Sequence, residues 1–210
     1  MSNPWQNINL EDYENHMKLD SVMQLQSMNE MMNEQFYTYP VKTIMILGIA
    51  GGNGLNHIRP GKIEKVYGVD INENYLERCV HRYPELEGIF EPVLCDLQAE
   101  NADLPEAELL VANLFIEYVG YENFQRGVTK AAPKYVSAII QINREEGFVS
   151  DSPYLHVFDH LDEVHRKIDR EGLIQAMNQI DYHHIFEIER ELPNGKSLLR
   201  LDFEKQTNRL

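Results

Sequence analysis

The chain reads as an α/β fold: a mostly parallel sheet with helices on both faces, closed at its C-terminal end by an antiparallel hairpin. Three observations predict it. The apolar run Ile44-Met45-Ile46-Leu47 is followed at once by Gly48, Gly51, Gly52 and Gly54, the pattern of a buried strand ending in a loop stripped of side chains. From Thr43 to Ile142, short apolar runs alternate with segments of helical character. Near the end, His183 to Leu192 and Ser197 to Phe203 flank Pro193-Asn194-Gly195-Lys196, and Asn-Gly between two strand-like runs signals a hairpin.

The elements follow in order. Residues 1–40 form a helical leader. Val22, Leu25, Met28, Met32 and Phe36 recur at spacings of three and four and define one helix face, with Asp20 or Ser21 as N-cap and Pro40 as terminator. The methionines of this stretch suit irregular core space. The first strand spans 43–49. The helix after the glycine loop is short, because Pro60-Gly61 stops it. Lys65 to Asp70 is the second strand. Asn72 to Tyr83 is a helix with Tyr75, Leu76, Cys79 and Val80 facing inward and Pro84 as its stop. Ile89 to Leu94 is the third strand, made an imperfect or edge strand by Pro92. Glu108 to Ala112 is the fourth strand, Glu122 to Ala132 a helix ended by Pro133, and Tyr135 to Ile142 the fifth strand. Residues 143–157 read as a loop and 158–179 as a helix before the hairpin.

Composition narrows the function. At 210 residues the chain is expected to be one domain, with the leader at 1–40 and the sheet at 41–210. A net charge of −15, from 34 acidic and 19 basic side chains, argues against a nucleic acid partner and against docking on anionic membranes. No apolar run approaches the ~20 residues that span a bilayer, and the N-terminus lacks the pattern of a secretory signal. Cys79 and Cys95 form no CxxC pattern and suit reduced thiols in the cytoplasm. A monomer or homodimer is expected. His156, His160 and His165, near Asp159 and Asp162, are the best grouping of potential metal ligands, but no HExxH or cysteine partner supports them, so no metal is expected.

The glycine loop suits a nucleotide-like cofactor, because backbone N–H groups can approach it closely. A dinucleotide oxidoreductase is one reading, but GxGxxG is absent: the third glycine position after Gly52 and Gly54 holds His57. The terminal hairpin also points elsewhere.

From about residue 40 to 204 the sequence resembles class I S-adenosylmethionine-dependent methyltransferases, which implies a Rossmann-like, seven-stranded sheet. The resemblance rests on ordered landmarks: Leu47-Gly48-Ile49-Ala50-Gly51-Gly52-Asn53-Gly54, Val69-Asp70-Ile71, Leu94-Cys95-Asp96-Leu97, Leu109-Leu110-Val111-Ala112-Asn113-Leu114, and the hairpin. The leader Leu10 to Met17 and Phe115-Ile116-Glu117-Tyr118-Val119 look like a bacterial small-molecule-type subgroup whose acceptors are mostly unassigned. The resemblance implies S-adenosylmethionine as cofactor and S-adenosylhomocysteine as product. Asp70 would accept from both ribose hydroxyls, Ile71 would cover the adenine, and Asp96, with Leu97 beside it, would accept from the adenine amine. The backbone of Gly48, Ala50, Gly51 and Gly52, with Asn113, would hold the methionine part.

Two positions depart from the family. Gly48 stands where an ammonium-binding acid is usual, so Tyr13 or Asn113 takes that role, or binding is weak. Ala50 stands where glycine is usual and is tolerated if its φ is negative. Glu117 and Tyr118 follow the fourth strand at the edge where open α/β sheets bind ligands, which makes them the candidates for a catalytic group. Tyr13, His16, Phe115 and Glu117 are candidates for contact with substrate, beneath a lid made by the leader and the 143–157 loop. The fourth strand lacks an Asn-Pro-Pro-Tyr ending, which with the acidic charge suggests a small-molecule acceptor. A catalytically idle, cofactor-binding regulator or partner protein is the other reading.

Overall fold

The computed structural model describes residues 3–143, 158 and 160–206. The expected loop over 143–157 lies, apart from Asn143, outside the described residues, as do His156 and Asp159. The seven strands are β1 (Thr43–Leu47), β2 (Lys65–Asp70), β3 (Phe90–Leu94), β4 (Leu109–Asn113), β5 (Tyr135–Ile142), β6 (Tyr182–Glu191) and β7 (Ser197–Lys205). They form one sheet in the order β3-β2-β1-β4-β5-β7-β6. The β3-β2-β1-β4-β5 pairings are parallel; β7 pairs antiparallel with both β5 and β6. Pro92 sits in β3 at one sheet edge, as the sequence requires.

Alternation along the strands explains the layers. Ile44 and Ile46 face one side of β1, Met45 and Leu47 the other. On the first side they pack with Met28, Met31, Met32 and Phe36 of α2 (Gln24–Thr38), and with Leu76 and Cys79 of α3 (Glu73–Arg82). On the second side lie Phe124 and Val128 of α4 (Ile116–Ala131), and Leu173 and Met177 of α5 (Arg170–Asn178). A further helix, α1 (Leu10–Met17), is capped by Asn9, whose side chain accepts from the N–H groups of Glu11 and Asp12. No helix among the described residues is long and apolar enough to cross a membrane.

Several local expectations are corrected. The leader helix is not capped by Asp20 or Ser21: α2 starts at Gln24 after Met23, which takes a left-handed conformation with φ 51°. The helix after the glycine loop is only a 3-10 turn, Leu55–His57. Val80 is exposed on α3 rather than inward. The helix expected over 158–179 shrinks to a 3-10 turn at Leu161–Glu163 and to α5. The helix expected from Glu122 is found just after Gly120, whose φ of 76° and ψ of 168° break α4 in two; what the sequence did not predict is the short helical segment ahead of the break. That break leaves Ile116–Val119 as a separate turn directly after β4.

The sheet order reverses between β1 and β4. In open α/β sheets the loops leaving two such strands diverge and open a crevice at their carboxyl ends. Gly48 follows β1 there and Asn113 ends β4.

Candidate functional site: a cleft and an adjoining chamber

The crevice is a cleft of about 680 Å³ counted out to its mouth. Gly48, Ala50, Asp70, Ile71, Asp96, Leu97, Asn113, Phe115, Tyr118 and Tyr13 all line it, joined by Asn3, Trp5 and Cys95. These residues come from the ends of four strands and from the leader. Gly51 and Gly52 do not line it. Gly51 lies against the Glu14 carboxylate and the Arg82 guanidinium, and Gly52 against Tyr83, Leu55 and Cys79. Both therefore shape the turn from behind.

Asp70 organises the turn. Its Oδ2 accepts from the Ala50 N–H at 2.9 Å and its Oδ1 from the Asn72 N–H at 2.9 Å. Burial raises its pKa, and bonds from the backbone of Asn72, Ala50 and Ile71 oppose that rise. An ionised carboxylate offers about four acceptor sites, so this one still has capacity toward the cleft. Ala50 sits at φ +46°, so the negative φ on which its tolerance depends is not found; the Asp70 contact holds it in the left-handed region. Asp96 is exposed at the cleft mouth, where its Oδ1 accepts from the Gln98 N–H at 2.8 Å.

The missing acid at position 48 has a steric cause. Gly48 has φ +67°, and a Cβ there would lie 2.7 Å from Cδ2 of Phe115. Phe115 fills the space that a side chain at 48 would need. A carboxylate does reach the loop from elsewhere. Glu14 of α1 lies beside Gly51 and is held by Arg82, with Nη1–Oε1 at 2.6 Å and Nη2–Oε2 at 3.1 Å; Arg82 Nη1 also donates to the Gly51 carbonyl at 2.8 Å. Tyr13, Glu14, Gly48, Ala50, Gly51 and Asn113 share a second, smaller hollow on this side of the loop.

Asn113 is held by a buried network. Its side-chain amide exchanges two hydrogen bonds with Gln35, at 2.9 and 3.0 Å. Gln35 also donates to Ser137 Oγ at 2.9 Å, Ser137 donates to Asp202, and Arg200 and Tyr39 donate to the same carboxylate. Position 35 carries a signal that sequence reading could use: a glutamine on the apolar stripe of Met28, Met32 and Phe36 must find a partner once buried.

A chamber of about 580 Å³, counted out to its mouth, adjoins the cleft and shares Trp5, Tyr13, Leu114 and Tyr118 with it. His16, Glu117, Phe158 and His165 also line it. The turn at Ile116–Val119 presents Glu117 and Tyr118. Glu117 is buried; its Oε1 accepts from the Gln141 N–H at 3.1 Å, while its buried Oε2 has no partner among the described residues. Burial pushes its pKa up to about 7. Burial likewise holds Tyr118 well above its usual value and Tyr13 at about 12, so both phenols stay protonated at neutral pH. His16 is lowered by burial and then by Lys196. Among the described residues, no group of three or more His, Cys, Asp or Glu side chains is placed to hold a metal ion.

The fold is that of class I S-adenosylmethionine-dependent methyltransferases. A geranyl diphosphate methyltransferase solved in complex with S-adenosylmethionine superposes with a TM-score of 0.64 at 11% identity, over 86% of this chain and 85% of that one. The N-methyltransferase NodS from Bradyrhizobium japonicum WM9, solved with S-adenosylhomocysteine, gives 0.64 at 12% identity over 98% and 100%. The [4+2]-cyclase SpnF gives 0.67 at 8% identity over 89% and 83%. At such identities the likeness is one of fold. No family model and no curated protein sequence matches the chain.

Proposed function

We propose that this protein transfers a methyl group from S-adenosylmethionine to a small-molecule acceptor. The observation that carries the reading is the shared cleft: the Asp70 and Asp96 carboxylates and the loop after β1 meet at the switch point of the sheet. In this reading Asp70 accepts from the ribose hydroxyls, Ile71 and Leu97 flank the adenine, and Asp96 accepts from its amine. The backbone at Gly48 and Ala50, with Asn113, holds the methionine part, and Gly51 and Gly52 keep the turn in shape. Glu14 stands near enough to the loop to serve the ammonium in place of an acid at position 48.

The bound cofactor supplies an activated methyl group. The protein's own work is to exclude water, align the acceptor and accept a proton where the acceptor carries one. Glu117 is the group suited to that last role, since one of its oxygens is unpaired and the chamber holds it out of water. Tyr118, protonated, can donate but not abstract. The leader covers both spaces, tied down through Tyr75 Oη to the Ile8 carbonyl at 2.7 Å and Asn72 Nδ2 to the Trp5 carbonyl at 3.0 Å. The two free thiols, Cys79 and Cys95, suit a cytoplasmic setting.

Titration calorimetry with S-adenosylmethionine and with NAD tests the cofactor. S-adenosylmethionine is expected to bind and NAD not; the reverse overturns the reading. Screening candidate acceptors for production of S-adenosylhomocysteine separates an enzyme from an idle binder, a reading kept by the absence of an acid at Gly48. Silence across a broad panel favours the binder.

A further inference from the structure

The chamber has a chemical character that the proposed reaction alone does not dictate. Its wall is aromatic. Trp5 meets Tyr118 edge-on at 4.9 Å between ring centroids and Tyr13 at 5.7 Å, and Phe158 lies 6.5 Å from Tyr13. Set into that wall is one carboxylate, Glu117, with an orphaned oxygen. Among the described residues no lysine or arginine lines the space. Lys196, on the hairpin, is close enough to depress His16 but is not part of the lining, and burial lowers its own pKa to about 8.

Such surroundings discriminate by charge. Ring faces attract cations, and a desolvated carboxylate with a free acceptor site calls for a charged donor. A phosphate or carboxylate acceptor would bring an anion against Glu117 with no lysine or arginine among the described lining residues to compensate it. A neutral alcohol would meet the carboxylate but gain little from the rings. A protonated amine satisfies both features at once.

We propose that the acceptor is an amine, bound as its ammonium form among the rings of Trp5, Tyr13 and Tyr118 and against Oε2 of Glu117, which then takes the ammonium proton. The assignment rests on the methyltransferase reading and adds the substrate class to it. In the proton step one N–H bond breaks and its electron pair stays on nitrogen as the lone pair. One O–H bond forms on Glu117. The ion pair becomes two neutral groups, and the nitrogen becomes the nucleophile that methyl transfer needs. The raised pKa of Glu117 brings it into the range where a carboxylate can both ionise and accept such a proton near neutrality.

The chain's single tryptophan is Trp5, so chamber binding can be read without turnover. Fluorescence of the wild-type protein, saturated with S-adenosylhomocysteine, is titrated with 2-phenylethylamine, 2-phenylethanol and phenylacetate, which differ chiefly in the charge of the terminal group. The amine is expected to bind at least about tenfold more tightly than either of the others. Glu117→Gln is expected to erase that preference while S-adenosylhomocysteine affinity, measured by calorimetry on the same samples, stays within about twofold of wild type. An amine bound no more tightly than the alcohol, or a preference that survives Glu117→Gln, overturns the assignment. If S-adenosylhomocysteine itself fails to bind, the cofactor reading falls and the acceptor assignment with it. If it binds and the amine preference is absent, the acceptor assignment alone falls.

Discussion

Asp70 and Glu117 are both carboxylates drawn out of water near strand ends, and burial raises the pKa of each. Their surroundings otherwise differ. Backbone N–H groups of Ala50 and Asn72 hold both oxygens of Asp70, and the turn around it keeps a strained Ala50 in place. Glu117 takes backbone hydrogen bonds from Gln141 and from its own residue, but its second oxygen has no partner among the described residues. A carboxylate bound by several backbone donors is stabilised in its charged form and fixed in position, which suits holding a ligand. One left partly unsatisfied in an aromatic chamber is poised between charged and neutral forms, which suits moving a proton.

The largest expected effect breaks the comparison on the Glu117 side. Glu117→Gln keeps the shape and the acceptor for Gln141 but cannot take a proton. Turnover, read as S-adenosylhomocysteine formed with an amine acceptor, should fall by roughly 10²–10⁴-fold. Activity within a few-fold of wild type would remove Glu117 from the chemistry.

The same residue carries a pH signature. Its folded pKa lies near 7, above the ordinary carboxylate value of 4.5. Between those values the folded state binds more protons than the unfolded one, so Glu117 costs stability progressively as pH rises through that window, reaching about 3 kcal/mol above it. Glu117→Gln removes that cost. The variant should match wild type near pH 4 and exceed it at pH 8 in denaturant unfolding. Equal stability at both pH values would mean that burial does not perturb this carboxylate.

On the other side, Asp70→Ala should weaken S-adenosylhomocysteine binding by about 1–3 kcal/mol, the scale of a lost charged hydrogen-bond partner. A smaller effect is expected one layer away. Gln35→Leu strips Asn113 of a reciprocal amide partner and Ser137 of a donor, and should cost about 1–2 kcal/mol of stability in denaturant unfolding. The smallest effect concerns the turn itself. Ala50→Gly relieves a left-handed alanine at the cost of added freedom in the unfolded chain, so unfolding should show a gain of up to about 1 kcal/mol. A clear loss would mean that the alanine methyl does more by packing than its backbone costs in strain.

The difference between the two carboxylates also marks how far sequence could reach. Asp70 was legible because strand periodicity, a glycine loop and an acid at a strand end are all local patterns. The sheet, its edge strand with Pro92 and its hairpin were legible for the same reason. Glu117 was legible only as a position after β4; its orphaned oxygen depends on Gln141 and on the leader, elements distant in sequence. The turn that presents it, Ile116–Val119, lies ahead of Gly120 and of the expected helix start, and four residues are too short to show a helical period. Phe115 explains Gly48 only when both strand ends are brought together. Glu14, Arg82, Trp5 and Gln35 escaped notice because a short polar helix, a lone arginine, one tryptophan near the N-terminus and one glutamine carry no spacing pattern; their roles arise from packing.

The most direct test of this division of labour is one calorimetric series: S-adenosylhomocysteine titrated into wild type, Asp70→Ala and Glu117→Gln at pH 7. Tight binding to wild type and Glu117→Gln, with roughly 10- to 100-fold weaker binding to Asp70→Ala, is the predicted result. Equal affinity in wild type and Asp70→Ala, or a loss confined to Glu117→Gln, would contradict the assignment of the two carboxylates to cofactor and acceptor.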